Sequence, residues 1–253
     1  GPIPGPRIRE GEIPSAVVIE PGAARIVIAT HVDESNYTGR YIRSAGGSWD
    51  YRYAPLGGVV AGDGAYIVGG AGLIGVYAHS SLSFSQIPNS YSIPYYSVAH
   101  FADTVIAGAS DGLYALSVDA GSAWDLHRLP SVSSSGYAQQ LTAVALGERT
   151  ALIGGLNGAL WRSDSQGREW AIVRGLASSQ MVTALCLAPT GDEAIIGGGN
   201  PEGNGPFLAS SADTGRTWQF EPLRAASGRI LAVSHSAEGF FAATSDGYIL
   251  RRQ

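Results

Sequence analysis

Short apolar segments alternate with glycine-rich turns along the whole chain. Such segments occupy residues 25–31, 104–109, 150–155 and 239–244, and turn residues such as Gly, Asn and Asp stand beside them. Apolar runs of this length between turn signals are typical of β-strands, whereas helices need longer periodic segments. The pattern therefore predicts an ordered, all-β chain.

The predicted strands form repeating units of four. Each unit has an apolar strand, a glycine-rich strand, a third strand that enters a polar turn and a fourth that starts at an aromatic residue. A spacing of about 42 residues is that of four-stranded propeller blades. We therefore predict one domain over residues 1–253, a six-bladed β-propeller of four-stranded antiparallel blades. The predicted blades are 16–54, 58–87, 96–129, 141–174, 182–221 and 230–251.

The sixth unit contains only three strands, so one strand is missing from the ring. Residues 7–10, Arg-Ile-Arg-Glu, precede the first blade and have no other predicted place. We expect them to form the outer strand of the last blade. This arrangement joins both ends of the chain in one sheet and removes open blade edges.

A Ser-x-Asp-x-Gly-x-x-Trp motif marks the turn between third and fourth strands. It is intact at 117–124 and 211–218, and at 163–170 Ser165 replaces the Asp. In such a turn the carboxylate accepts backbone N–H bonds, the Gly takes a positive φ, and the Trp packs back onto its own blade. The predicted structural residues are Ser117, Asp119, Gly121, Trp124, Ser163, Gly167, Trp170, Ser211, Asp213, Gly215 and Trp218.

This motif resembles the Asp box, and the chain is similar at superfamily level to the Asp-box (BNR-repeat) β-propellers, which include sialidases and photosystem assembly factors. The resemblance implies that the boxes lie on the face away from any active site and hold the fold together. On the same analogy, a secreted, cell-surface or virion-associated location is favoured.

The resemblance to sialidases also implies an arginine in an Arg-Ile-Pro motif that grips a substrate carboxylate. Here the matching residues are Glu12, Ile13 and Pro14, and a carboxylate at position 12 repels such a substrate. Other arginines at turns or strand starts, Arg229 among them, do not restore the arginine triad. We therefore expect a non-catalytic propeller. The alternative is a sialidase-like glycoside hydrolase or lyase with an altered active site, in which Glu12, Asp33, Glu34 or Asp246 converge on a central pocket.

Binding is expected on the face that carries the loops between second and third strands and the linkers between blades. Its segments are 31–40, 88–96, 131–140 and 197–206. Segment 88–96 combines three tyrosines with Ser and Asn, and 131–140 is Ser-rich with Tyr137, a composition that suits contact with a protein or a glycan. An ordinary solvated loop, or packing of Tyr95 or Tyr96 at the start of a strand, is the alternative reading. The candidate binding residues are His31, Asp33, Glu34, Tyr37, Arg40, Tyr91, Tyr95, Tyr96, Tyr137, Asn200 and Glu202.

Composition narrows the possible partners. The net charge is -5 and all 16 cationic residues are scattered arginines, which excludes a basic stripe for nucleic acid. No apolar run is long enough for membrane insertion. The five histidines lack metal-ligand spacing and the single Cys186 excludes an intrachain disulfide, so we predict no metal and no cofactor. The oligomeric state stays open.

Overall fold

The computed structural model divides the chain into two compact units, residues 1–99 and 100–253. The residues that the structure describes are 8, 10, 13–19, 26–31, 38–43, 48–54, 61–63, 66–78, 81–87, 93–131, 139–188, 190–202, 204–223, 228–236 and 239–252.

The first unit contains two four-stranded antiparallel sheets whose strands follow one another in chain order. In the second of these sheets Tyr66, Val68 and Ile74 are buried. Sheet one comprises β1 (Ile13–Ile19), β2 (Ile26–His31), β3 (Thr38–Arg43) and β4 (Trp49–Ala54); sheet two comprises β5 (Ala61–Asp63), β6 (Tyr66–Val68), a 3-10 turn (Gly70–Gly72), β7 (Leu73–Ala78) and β8 (Ser81–Gln86).

The second unit repeats this order in sheets three to six, of which sheet three begins with a strand that starts before residue 100. Sheet three comprises β9 (Tyr95–Phe101), β10 (Thr104–Ala109), β11 (Leu113–Ser117) and β12 (Asp125–Arg128), and sheet four β13 (Leu141–Leu146), β14 (Ala151–Gly155), β15 (Leu160–Ser163) and β16 (Ala171–Ile172). Sheet five comprises β17 (Met181–Leu187), β18 (Ala194–Gly199), β19 (Phe207–Ser211) and β20 (Gln219–Phe220), and sheet six β21 (Ile230–Ser236), β22 (Gly239–Thr244) and β23 (Ile249–Arg252).

The second strands of sheets three, four and five are buried along their whole length. A strand covered on both faces has no solvent side, which explains why these segments are continuously apolar or small instead of alternating. Glycine allows the next sheet to approach closely. A Cβ at Gly197 would stand 2.5 Å from the Cγ2 of Ile230 on β21, and a Cβ at Gly154 would collide with Val182 on β17.

A β-bulge recurs near the start of the first strand in sheets one, four, five and six. In sheets four and five the bulged residue is a threonine. The hydroxyl of Thr142 donates to the carbonyl of Val182, and that of Thr183 donates to the carbonyl of Ile230. These two bulges therefore turn a threonine side chain toward the first strand of the following sheet and tie the two sheets together.

The prediction of an all-β chain of four-stranded antiparallel sheets is confirmed. Within the described residues sheet six has three strands. Arg7 and Arg9 of the predicted closing strand lie outside the described residues, while Ile8 is irregular and Glu10 lies in a turn. The count of six blades, the closure by residues 7–10 and the single domain stay predictions.

Candidate functional site

The sheets of the second unit have two distinct ends. One end carries the turns 117–124, 163–170 and 211–218, which we call the Trp turns, together with the loops between first and second strands. The opposite end carries the loops between second and third strands and the linkers to the next sheet, and we call it the loop face. Because consecutive strands are antiparallel, these connections alternate strictly between the two ends.

The Trp turn of sheet five is closed by its own polar side chains. Ser211 donates to the Oδ1 of Asp213 at 2.8 Å and accepts the Gly215 amide at 2.8 Å. The Asp213 carboxylate accepts the Thr217 amide at 2.8 Å and the Thr217 hydroxyl at 2.7 Å. These donors lower the pKa of Asp213 from 3.8 to about 2, with the Thr217 amide as the largest cause. The carboxylate therefore serves the turn itself.

The Trp turn of sheet three repeats this geometry. Ser117 donates to Asp119 at 2.8 Å, and the Asp119 carboxylate accepts the Ala123 amide at 2.8 Å. The Ala123 amide is the largest cause that lowers the pKa of Asp119. The Gly121 amide donates to the Ser117 hydroxyl at 2.9 Å, so the same eight-residue pattern folds the same way twice.

The Trp turn of sheet four reaches the same backbone form without the aspartate. Ser165 accepts the Glu169 amide at 2.9 Å, and Gly167 has a φ of +90°. The Ser165 hydroxyl accepts one of the backbone N–H hydrogen bonds that the aspartate carboxylate accepts in the other two turns, but it carries no charge. The Trp turn of sheet four therefore has the same backbone shape as those of sheets three and five but lacks their negative charge.

Trp170 reaches beyond its own sheet, which the sequence analysis did not predict. Its Nε1 donates to the Gly167 carbonyl at 3.0 Å, and its ring stands edge-on to Tyr114 of sheet three with centroids 5.6 Å apart. The Tyr114 hydroxyl donates to the Gly167 carbonyl at 2.9 Å, and burial raises the pKa of this tyrosine. The Trp turn thus lies over the third strand of the preceding sheet, and packing within its own blade is only part of its role.

Between the Trp turns of sheets four and five lies a polar cavity of about 280 Å³. Its wall contains the buried guanidinium of Arg162, which donates to both carboxylate oxygens of Asp164 and, through Nε, to the Thr214 carbonyl at 2.6 Å. Arg216 approaches Asp164 at 3.3 Å from the other side. The Arg162 bonds are the largest cause that lowers the pKa of Asp164. These hydrogen bonds and ion pairs join sheets four and five, and the Arg162 guanidinium and the Asp164 carboxylate bond to each other.

Of the sequence-predicted binding residues that the structure describes, Asn200 and Glu202 lie on the loop face of the second unit, and Tyr95 and Tyr96 lie in the first unit. Tyr95 begins β9 and is fully buried, whereas Tyr96 beside it is half-buried. Asn200 is half-buried and closes its own loop. Its backbone amide donates to the Asn204 backbone carbonyl at 2.8 Å, and its side-chain Oδ1 accepts the Asn204 backbone amide at 3.0 Å. Glu202 is exposed on the same loop. Tyr96, Asn200 and Glu202 are partly or fully accessible, and a binding role for them stays a prediction.

The other predicted binding residues lie on sheet one or outside the described residues. His31 ends β2, and Arg40 lies within β3 opposite Ala29. Asp33, Glu34, Tyr37, Tyr91 and Tyr137 lie outside the described residues, as does Glu12. Of the acidic groups named for the enzymatic alternative, Asp246 is described, and its carboxylate accepts the Gly228 amide at 3.0 Å.

Arg229 is the loop-face residue that sequence reasoning passed over. It directly precedes β21, and its Nε is buried with no hydrogen-bond partner among the residues that the structure describes. It stands against the loop that follows β18, because a Cβ at Gly199 would be 2.9 Å from the Arg229 Cβ and 2.8 Å from the Asn204 carbonyl. The available signal was a cation immediately before an apolar first strand at this end of the sheet.

Two absences concern the described part of the chain. Within it, no group of three or more His, Cys, Asp and Glu side chains could hold a metal ion. In the same ranges no helix has the length and apolarity that a membrane crossing requires.

Comparison with known proteins gives a fold and no family. No protein-family model matches the chain, and no curated protein matches it. Among solved structures, the chain is similar to "YCF48 bound to D1 peptide" with a TM-score of 0.52 and 17% sequence identity. The chain resembles a β-propeller. The match covers 73% of this chain and 58% of the YCF48 chain, and at this identity it supports the propeller fold alone.

Proposed function

We propose that this chain is a non-catalytic propeller that binds a protein partner through its loop face. The observation that carries the proposal is the buried Nε of Arg229, which lacks an acceptor within the described residues beside the loop of Asn200 and Glu202. A buried donor without an acceptor costs about 1–3 kcal/mol, so a partner that opens this site and brings an oxygen to the Nε recovers a penalty that the free protein bears.

A protein partner is favoured over a glycan. The structure that the chain resembles was determined with a peptide bound, which supports a propeller used for protein recognition. The tyrosine- and serine-rich composition of segments 88–96 and 131–140 suits contact with a protein surface.

We also propose a six-bladed ring in which residues 7–10 supply the outer strand of the last blade. Within the described residues, five four-stranded sheets and one three-stranded sheet follow in chain order, which supports this count. Within the second unit, the first strands β13, β17 and β21 lie next to one another in succession, as the inner strands of adjacent blades do. The hydrogen bonding of the Trp turns supports their assignment as Asp boxes.

The test uses the full chain immobilised as bait for extracts of its native source, with bound proteins quantified by mass spectrometry. We expect one protein to be enriched on the native chain and lost about tenfold or more on Arg229→Ala and Arg229→Lys, since lysine lacks the Nε–H donor at that position. Arg168→Ala is the matched control, because it removes an exposed arginine from the opposite end of the sheets.

Thermal unfolding of each variant shows whether it retains the fold. Equal enrichment on the native chain and on folded Arg229 variants would contradict the proposal. So would specific retention on a glycan array with no Arg229-dependent protein, because that outcome identifies a carbohydrate ligand.

A further inference from the structure

Two Asn-Gly pairs lie on the loop face, at Asn157-Gly158 and Asn204-Gly205. This dipeptide is chemically labile. The amide nitrogen of the glycine attacks the Cγ of the asparagine side chain, ammonia leaves, and a five-membered succinimide forms. Water then opens either carbonyl of that ring to leave aspartate or isoaspartate. The reaction needs a glycine amide that is released from hydrogen bonding and a backbone that can rotate toward the side chain.

The first pair is held in a tight hairpin turn. Asn157 and Gly158 have φ values of +58° and +68°, and the Gly158 amide donates to the Gln180 carbonyl at 2.6 Å. The Ala159 amide closes the turn onto the Leu156 carbonyl at 3.1 Å. A Cβ on Gly158 would collide with the Ala177 carbonyl, so the backbone is also confined sterically. Attack at Asn157 must first break the amide bond and open the turn.

The second pair is arranged differently. Asn204 and Gly205 are both exposed, and the structure gives the Gly205 amide no acceptor within its described residues. The Asn204 side-chain carbonyl accepts a hydrogen bond from the Asn200 amide group, which draws electron density from Cγ. Its amide nitrogen, the leaving group, faces no described acceptor. The nucleophile and the leaving group therefore lack described hydrogen-bond partners, and attack requires only that the Asn204 backbone carbonyl leave the Asn200 amide on an exposed loop.

We propose that Asn204 is a site of spontaneous deamidation in the folded protein and that Asn157 is protected. The reaction places a new carboxylate on the loop between β18 and β19, whose Asn204 backbone carbonyl approaches Gly199 as the Arg229 Cβ does. If the proposed function holds, that carboxylate competes with the partner for the guanidinium, and deamidation lowers partner binding.

The chemical part is tested on the purified full chain, incubated at neutral pH and analysed by peptide mapping that separates Asn, Asp and isoAsp. We expect the Asn204 peptide to convert roughly tenfold or more faster than the Asn157 peptide, because breaking the Gly158 hydrogen bond and opening the turn cost at least about 1.4 kcal/mol. In denaturant the two peptides are expected to convert at similar rates, which shows that the fold causes the difference.

Equal rates in the native chain, or faster conversion of Asn157, would overturn the proposal. Persistence of Asn204 in the native chain, under conditions where both sites convert in denaturant, would overturn it equally. None of these outcomes depends on a partner, so the chemical result stands or fails apart from the proposed function.

The functional part compares Asn204→Asp with Asn157→Asp in the partner capture described above. Both variants add one negative charge to the loop face, and only the first adds it on the loop that approaches Gly199 together with Arg229. We expect capture to fall severalfold for Asn204→Asp and to stay near the native level for Asn157→Asp. Equal capture by both variants would overturn the proposed competition with Arg229.

Discussion

The Trp turns of sheets four and five have nearly the same backbone and different electrostatics. Gln166 and Thr214 occupy equivalent places with φ of +52° and +60°, and the glycines that follow have φ of +90° and +82°. Sheet five holds this form with the Asp213 carboxylate, and sheet four with Ser165 and the neighbouring Arg162–Asp164 pair. The backbone form thus depends on the Ser and Gly that both turns share, and the acidic residue adds to it.

The largest loss in the free energy of unfolding is expected from substituting the glycines common to both turns. We expect Gly167→Ala and Gly215→Ala to lose about 3 kcal/mol each, from a left-handed backbone and from overpacking. A Cβ would stand 2.6 Å from Ile106 in the first and 2.8 Å from Leu152 in the second. Gly112→Ala is the control, because its φ is +68° and a Cβ there meets nothing within 4 Å. Urea unfolding checks this, and a loss at Gly112 as large as at Gly167 would refute the steric part.

The next largest loss of stability is expected from removing Arg162, the buried cation of sheet four. Arg162→Ala removes charge-assisted bonds to Asp164 and Thr214, and we expect the free energy of unfolding to fall by about 2 kcal/mol. Arg216→Ala removes an exposed partner of the same carboxylate and should cost less than about 0.5 kcal/mol. Equal losses in chemical denaturation would show that burial of Arg162 does not matter.

A smaller difference in the free energy of unfolding is expected between substitutions of the two turn tryptophans, Trp170 and Trp218. The Nε1 of Trp170 donates to Gly167, while that of Trp218 is buried with no partner among the described residues. Phenylalanine lacks this donor, so Trp170→Phe should cost about 1 kcal/mol more than Trp218→Phe. Thermal unfolding of the two variants checks the difference, and a greater loss at Trp218 would contradict it.

The smallest effect should follow from giving sheet five the turn chemistry of sheet four. Asp213→Ser is expected to cost about 0.5 kcal/mol near neutral pH, because the carboxylate is exposed and solvent screens its bonds. The folded pKa of about 2 lies below the ordinary 3.8, so the stabilisation is present above pH 3.8 and is lost as the pH falls toward 2. Stability curves of the native chain and the variant should converge over that range, and parallel curves would contradict the assignment.

The sequence predicted the strands well because their signals are local. The segments that became β10, β14 and β18 are apolar or small throughout, and a strand buried on both faces requires this composition. The fourth strands of sheets four and five, predicted from the aromatic residue to the end of the blade at 170–174 and 218–221, are shorter than predicted. β16 and β20 contain two residues each and are exposed, so no core contact extends their pairing beyond the first residues after the turn.

The candidate site was less predictable. The sequence favoured Tyr95 and Tyr96 equally, and burial separated them, because the first residue of β9 packs inward and the next does not. Arg229 gave only a weak signal. Its importance depends on a close approach by the loop after β18, which no spacing in the sequence describes.

By itself, the sequence determined the strand order and the Trp turns, since each Ser, Asp and Gly of a turn bonds within four residues along the chain. Only the tertiary structure decided which groups meet across sheets. The Nε of Arg162 reaches the Thr214 carbonyl 52 residues away, and the Tyr114 hydroxyl reaches Gly167 over 53 residues. The physical reason is distance along the chain: a turn closes through its own neighbours, whereas the partner of a buried cation or tyrosine depends on how separate sheets pack.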